Sequence, residues 1–377
     1  MAAVGIGQGQ PRVVIAHDFM EAYGGAERIT AEIALAFPEA PVFALLGRRS
    51  VARRMRVEER FTSLLPARRR LLAHYRLLAP FFPLIADRIR LPPADVVVSS
   101  SYGFAHRLRA RGGAPRVCYS HSPLRFAWSM PEEYREKWAR GRLGGTAFRL
   151  LAASMRRSDR RSAQSIARYL TQAEYVAEQL RANYGREAEI IGAPVDCELF
   201  RPSGRPVDDF FLFCGRLVEP YKKVTALVEA FNGLDERLIV AGDGPERPRL
   251  EAMAGPRVEF TGQLGDAELV PLMQSCRAAV FPSRDDFGLI PVEVMACGRP
   301  VLAHAGGGAL STVVPGVTGE LFEGQSAEAI AAAVAGFDPA AYDPGRIRER
   351  AMGWDRHRFR DRLREIVAEV AAAAPDT

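Results

Sequence analysis

Short apolar runs, each closed by a turn of glycine, proline, serine or acidic residues and followed by a helical pattern, recur along this chain and restart once. Alternation of that kind builds parallel sheets covered by helices. In the first half, Val13-Val14-Ile15-Ala16 forms a strand ending at His17-Asp18. Gly24 and Gly25 then lead into a helix with Ile29, Ile33 and Phe37 on one face. Further strands are expected at 40–45, 95–99, 115–119 and 168–171, with 187–191 running into the turn Gly192-Ala193-Pro194. The second half restarts at 210–214 and continues through 237–241, 258–261 and 277–281, with 301–303 and 319–322 last. The stretch 200–209, FRPSGRPVDD, is rich in proline, glycine and charge and is the expected break between two α/β domains. In such sheets ligands sit outside the carboxyl ends of the strands, so the loops there are the places to look for chemistry.

The totals agree with two domains, since 377 residues exceed what one ordinary core supports. With 48% apolar and 25% charged residues the chain is globular and not disordered. No run approaches a bilayer-spanning helix, and the start MAAVGIGQGQPR lacks a basic region followed by an apolar core, so a cytoplasmic protein is expected. Five cysteines at irregular spacing suit a reducing compartment and neither a disulfide framework nor a zinc site. The net charge of +6 comes with no nucleic-acid fold signature, so no nucleic-acid partner is expected.

The most informative segment is 281–301, FPSRDDFGLIPVEVMACGRPV. A strand end breaks at Pro282-Ser283. Asp285, Asp286 and Gly288 follow, and a helix is expected over 292–297, with Glu293 in its first turn. Free N–H groups at such a helix start, near Gly288 and Leu289, can cradle a diphosphate. A carboxylate in that turn can accept ribose hydroxyls, and one on the loop can face a sugar.

This segment resembles the E-x7-E signature of retaining family-4 glycosyltransferases of the GT-B fold, with Asp285 in place of the first Glu and Glu293 as the second. The resemblance extends through HDFMEAYGGAERI, VVSSSYGFAHRL, CYSHSPLRFAW, CGRLVEPYKK, IVAGDGPERPRLE, VEFTGQL and GGGALSTVVPGVTGELF. It implies two Rossmann-like domains facing across a cleft: an acceptor domain at 1–200 and a nucleotide-sugar domain at 201–353. A last segment, 354–377, would cross back to the first domain.

The resemblance also implies retaining transfer of a sugar, mannose or a similar hexose or deoxyhexose, from a nucleoside-diphosphate sugar, GDP-mannose being favoured. The acceptor would be a polysaccharide, a lipid-linked molecule or a secondary metabolite. A sugar-nucleotide 2-epimerase, a phosphorylase and a non-catalytic nucleotide-sugar-binding subunit are the competing readings. No cofactor or metal is expected, because Arg216 and Lys222 can meet the charge that grows on the leaving diphosphate; Lys223 is the alternative to Lys222.

The remaining expectations are these. Gly24 and Gly25 let the backbone approach the donor, and Gly262 with its neighbours in VEFTGQL lies near the base. Gly306-Gly307-Gly308 admits ligand hydroxyls or the opposite domain. By the same resemblance His121 contacts the transferred sugar or the acceptor side, with lower expectations for His17 and His106. Asp18 either accepts from the acceptor or caps the following turn, and Arg125 with Trp128 shapes the acceptor pocket. Asp285 is one methylene shorter than Glu, about 1.5 Å, a displacement that can cost about 10²-fold in rate; Asp286 can share its work. Arginines at 48, 49, 53, 54, 56 and 68–70 adjoin the apolar run 71–85, which suits peripheral contact with the inner membrane face.

Overall fold

The computed structural model describes residues 10–66, 75–129, 131–138 and 141–374. Arg68, Arg69, Arg70 and the start of the apolar run, 71–74, therefore lie outside the described residues. The chain divides into two units, one of Met1–Gly192 with Phe359–Thr377 and one of Ala193–Arg358.

The first unit is built on a parallel sheet of β1 (Val13–Met20), β2 (Val42–Gly47), β3 (Phe61–Ser63), β4 (Val96–Ser101), β5 (Arg116–Ser120), β6 (Arg168–Thr171) and β7 (Ala188–Ile190). Their order across the sheet is β3-β2-β1-β4-β5-β6-β7. Val13 lies opposite Val96 in the β1–β4 pair, and Ile15 opposite Val42 in the β1–β2 pair. The inner strands read as continuous apolar runs because both faces are covered. Phe19, Leu45, Phe82, Phe104 and Phe148 fill one side, and Ile166, Tyr169, Val176 and Leu180 belong to a second cluster. Helix α1 (Gly25–Ala36) follows β1, and α2 (Gly141–Ala163) supplies Phe148, Ala152 and Met155 to the first cluster.

The second unit repeats the plan with β8 (Phe211–Cys214), β9 (Leu238–Ala241), β10 (Val258–Gly262), β11 (Ala278–Phe281), β12 (Val301–His304) and β13 (Gly319–Phe322). The order is β10-β9-β8-β11-β12-β13, all parallel. Helices α3 (Val224–Asn232) and α4 (Leu289–Ala296) follow β8 and β11. Phe211, Phe213 and Phe231 are almost wholly buried in its core, each worth about 1.5–3 kcal/mol of burial.

The boundary differs from the expected one. The break falls at Gly192/Ala193 because the proline-bearing arm that follows is tied to the second unit. Val195 donates to the Trp354 carbonyl at 2.9 Å and accepts from Arg356 N at 2.9 Å. The Arg348 guanidinium donates to the carbonyls of Cys197, Phe200 and Ala296. Helix α5 (Arg356–Ala372) starts in the second unit and continues in the first. There Phe359 meets Tyr119 edge-on at 5.7 Å, Arg360 pairs with Glu32 at 3.2 Å, and Arg364 donates to the Ala36 carbonyl.

Candidate functional site

In both sheets the strand order reverses direction beside the first strand, between β1 and β4 and between β8 and β11. The loops leaving those strands diverge there and open a crevice for a ligand. In the first unit they carry Gly24-Gly25 and Tyr102–Arg107. In the second they carry Arg216–Lys222 and Pro282–Gly288.

In the first unit β1 runs on through His17 and Asp18 to Met20 instead of ending at them, and both side chains are fully buried. The partners of Asp18 lie on a distant loop and not on its own following turn. Its carboxylate accepts the backbone N–H groups of Tyr102 at 2.6 Å, Phe104 at 2.5 Å and Ala105 at 2.6 Å, and the Ser101 hydroxyl at 3.2 Å. Asp18 thus shapes the loop after β4.

His121 follows β5 and is buried. Its Nε2 lies 2.7 Å from Ser100 Oγ, and its carbonyl accepts from Gln172 at 2.7 Å. Burial lowers its pKa to about 3, with the neighbouring His17 and Arg125 acting the same way. The ring therefore works as a neutral imidazole near neutrality.

Gly24 has extended backbone and precedes α1 with Gly25 as its first residue. Its N–H donates to Glu27 Oε2 at 2.9 Å. Arg125 is exposed. Trp128 does not line a pocket with its polar edge: the indole N–H donates to the buried Asp159 at 2.9 Å, beside the Tyr184 hydroxyl at 2.5 Å. His106 is spent on the same carboxylate, 3.3 Å away.

In the second unit Lys222 Nζ lies 2.5 Å from Asp285 Oδ2, both half-buried, and 5.5 Å above the Phe281 ring. This pair joins the loop after β8 to the loop after β11, and it gives the cationic place to Lys222. Lys223 instead stands before α3 in left-handed conformation, its N–H donating to Glu219 at 3.1 Å. Arg216 is exposed beside Gly215.

Helix α4 begins at Leu289, three residues earlier than expected, because Gly288 at φ 83° turns the chain into it. Two consequences follow. The N–H groups of Leu289 and Ile290 head the helix, Pro291 having none. Glu293 becomes the fifth helical residue instead of a first-turn group facing ligand, and it has no exposed surface. Its charge adds to the burial that pushes up the Cys214 and Cys297 thiols.

Gly307 and Gly308 give room to neighbouring backbone. A Cβ on Gly307 would stand 2.1 Å from the Asp285 carbonyl oxygen, and one on Gly308 2.2 Å from the Phe287 Cα. Gly308 N–H donates to the Asp285 carbonyl at 2.8 Å, so this turn pins the Asp285 loop. Gly262 closes β10 with φ 78° beneath the Arg247 guanidinium.

Sequence reasoning missed Glu27, Ser100 and Gln172, which hold the glycine loop and His121. The Gly24-x-x-Glu27 spacing before an apolar helix was a usable signal for the first. The serine run after VVV offered no such pattern.

Residues 23–199 match the family described as Glycosyltransferase Family 4, and residues 208–337 match the family described as Glycosyl transferases group 1. The D-inositol 3-phosphate glycosyltransferase 1 of Catenulispora acidiphila is 35% identical over 222 residues, covering 48% of this chain and 50% of that one. The GDP-mannose-dependent alpha-(1-6)-phosphatidylinositol dimannoside mannosyltransferase of Mycobacterium tuberculosis is 33% identical over 204 residues, covering 46% and 53%. The chain thus spans about half the length of these curated relatives. The crystal structure of Anabaena HepE in complex with UDP superposes with a TM-score of 0.68 at 19% identity, covering 95% of this chain and all of that one. The two Rossmann-like halves are those of the GT-B fold. Among the described residues no helix is long and apolar enough to cross a membrane.

Proposed function

Since this chain carries the two glycosyltransferase domains, Family 4 followed by group 1, over most of its length, we propose that it is a retaining glycosyltransferase using a nucleoside-diphosphate sugar. The observation that carries the reading is the switch point of the second sheet. Arg216, the Lys222–Asp285 pair and the N-terminus of α4 all leave the carboxyl ends of β8 and β11 there. Two cations and a helix start suit a diphosphate, whose charge grows as the glycosidic bond breaks.

In the proposed step the bond from the sugar C1 to the diphosphate oxygen breaks and its electron pair stays on that oxygen. The acceptor oxygen bonds C1 from the same face, and its proton passes to the departing diphosphate. Lys222, oriented by Asp285, and Arg216 neutralise the departing charge without a metal. His121, as a neutral imidazole, hydrogen-bonds a sugar hydroxyl. Glu293 is assigned the ribose hydroxyls, a role that requires donor binding to uncover its carboxylate.

The donor sugar is proposed to be a hexose, with mannose first. The mycobacterial relative is named for GDP-mannose, while HepE was solved with UDP. A thermal-shift panel of GDP, UDP and their sugars decides the base, because a ligand at 100 times its Kd adds about 2.7 kcal/mol. NMR of the product's anomeric coupling decides retention; an inverted anomer would overturn the mechanism. Glu293→Gln should lose most of the donor's shift while its own unliganded melting stays close to wild type. An undiminished shift would remove the ribose role.

A lipid-linked acceptor at the inner membrane face is the favoured acceptor reading, supported by the exposed Arg48, Arg49, Arg54 and Arg56 together with exposed Phe81 and Leu84. Arg53 contributes less to such a field, since it is paired with Glu58 at 2.7 Å. Sedimentation with anionic liposomes should fall as salt rises; no binding even at low salt moves the acceptor to a soluble molecule.

A further inference from the structure

We propose that Glu27 and His17 are positioning residues that couple the Gly24-Gly25 loop to the His121 imidazole. The proposal rests on the reading above, in which both ends of that coupling face substrate. Its basis is a continuous run of buried polar groups across three elements. One oxygen of Glu27 accepts the Gly24 N–H at 2.9 Å, and the other lies 3.6 Å from His17 Nε2, an ion-pair distance. His17 Nδ1 is 3.0 Å from the Ser100 carbonyl oxygen, which can only accept, so that nitrogen carries a hydrogen. Thr30 Oγ1 lies 3.1 Å from the same nitrogen and 2.8 Å from Ser100 Oγ. Ser100 Oγ in turn is 2.7 Å from His121 Nε2.

Each member of the run is buried. Glu27 is 7% exposed, and His17, Thr30 and Ser100 have no exposed surface. A carboxylate and an imidazole in that position cost desolvation which a well-packed apolar pair would avoid. The run does not end in the core. It begins at the exposed glycine loop after β1 and finishes on the ring after β5, at the carboxyl ends of the two strands that flank β4 in the sheet. Tyr102, 5.8 Å from His17 and 6.1 Å from His121, and Tyr119, 5.2 Å from His121, add ring contacts that limit rotation of the two imidazoles. Tyr102 is held by the Asp18 carboxylate through its N–H and by the Phe19 carbonyl through its hydroxyl. The geometry therefore fixes the tilt of His121 from the loop side, through groups that touch no substrate themselves.

The experiment uses the full chain with Glu27→Gln, Glu27→Asp, His17→Gln and His121→Gln, and the double variant Glu27→Gln/His121→Gln. Glu27→Gln keeps an oxygen for the Gly24 N–H and removes the charge facing His17. It should lower kcat between about 10- and 100-fold, the cost of a misplaced group, with KM changed less than about threefold. Glu27→Asp should recover part of the rate. Adding Glu27→Gln to His121→Gln should cost little more than His121→Gln alone, because the two act as one unit. Independently of activity, the imidazole nitrogen resonances of His121 should move in Glu27→Gln, although three groups separate the two side chains.

Unmoved His121 resonances, or full additivity of the two substitutions, would overturn the proposal and leave Glu27 a helix cap. Loss of rate only in proportion to lost folded protein would do the same. Where His17→Gln fails to fold, the Glu27 variants and the spectra still decide. A wild-type protein that transfers no sugar from any donor offered would sink the functional reading instead, and the spectra would settle the coupling by themselves.

Discussion

The two sheets share one strand order but furnish their switch points in opposite ways. In the first unit the polar groups are sealed: His17 and Asp18 have no exposed surface, and His121 is held neutral by burial. In the second Glu293 is also buried, but Arg216 is exposed and the Lys222 and Asp285 side chains are 16% and 23% accessible. Buried dipoles in fixed geometry give orientation without large fields, whereas half-exposed ions give charge that can still rearrange. A transfer reaction needs both, because a sugar is oriented by hydrogen bonds and its leaving diphosphate is stabilised by cations. On the function proposed above, the first unit would orient the sugar from its interior and the second would meet the diphosphate from its rim.

The sharpest way to break this contrast is to cut a charge from each side. Asp18→Ala strands three buried N–H groups, each worth about 1–3 kcal/mol, so a loss near 4 kcal/mol or more is expected in urea unfolding. Asp285→Ala, at a more accessible pair, should cost about 1 kcal/mol or less. Equal losses would erase the distinction between interior and rim.

Next in size, Lys222→Ala and Arg216→Ala should each lower turnover by about 10²–10³-fold with a smaller change in donor affinity. Their effects should not add, since both meet one diphosphate. Near-normal turnover in both would return these cations to the status of a solvated loop.

The effect that is smallest per pH unit sharpens the neutral-imidazole side. With the folded pKa of His121 near 3 and an ordinary value of 6.5 when unfolded, the unfolded chain binds the extra proton between those pH values. Stability should therefore fall as pH drops through that window, by about 1.4 kcal/mol per unit from this group alone. His121→Gln should flatten the slope of stability against pH by that amount; an unchanged slope would mean that the imidazole is not held neutral.

Much of the fold was legible because buried parallel strands must be apolar on both faces, and VVIA, FLFC and AAVF say so directly. The placement of Arg216, Lys222 and Asp285 at strand ends was legible for the same reason. What escaped reading were interactions that leave no residue pattern. Asp18 serves backbone N–H groups more than eighty residues away, and nothing in HDF announces that. The glycines at 306–308 suggested clearance for ligand or the opposite domain, and nothing in their pattern announced that Gly307 and Gly308 also clear the Asp285–Phe287 backbone. The domain break was set one arm too late because composition marks a loop but not the unit to which it is hydrogen-bonded.

The division of α5 between the units bears on the order in which the chain matures during synthesis. The second unit is one uninterrupted stretch, Ala193–Arg358, whereas the first needs Phe359–Thr377 to be whole. Tyr119, Glu32 and Glu189 therefore lack their α5 partners until α5 has left the ribosome. The half whose strands are translated first is thus completed only after the second unit has been made, by a helix that follows it in the chain.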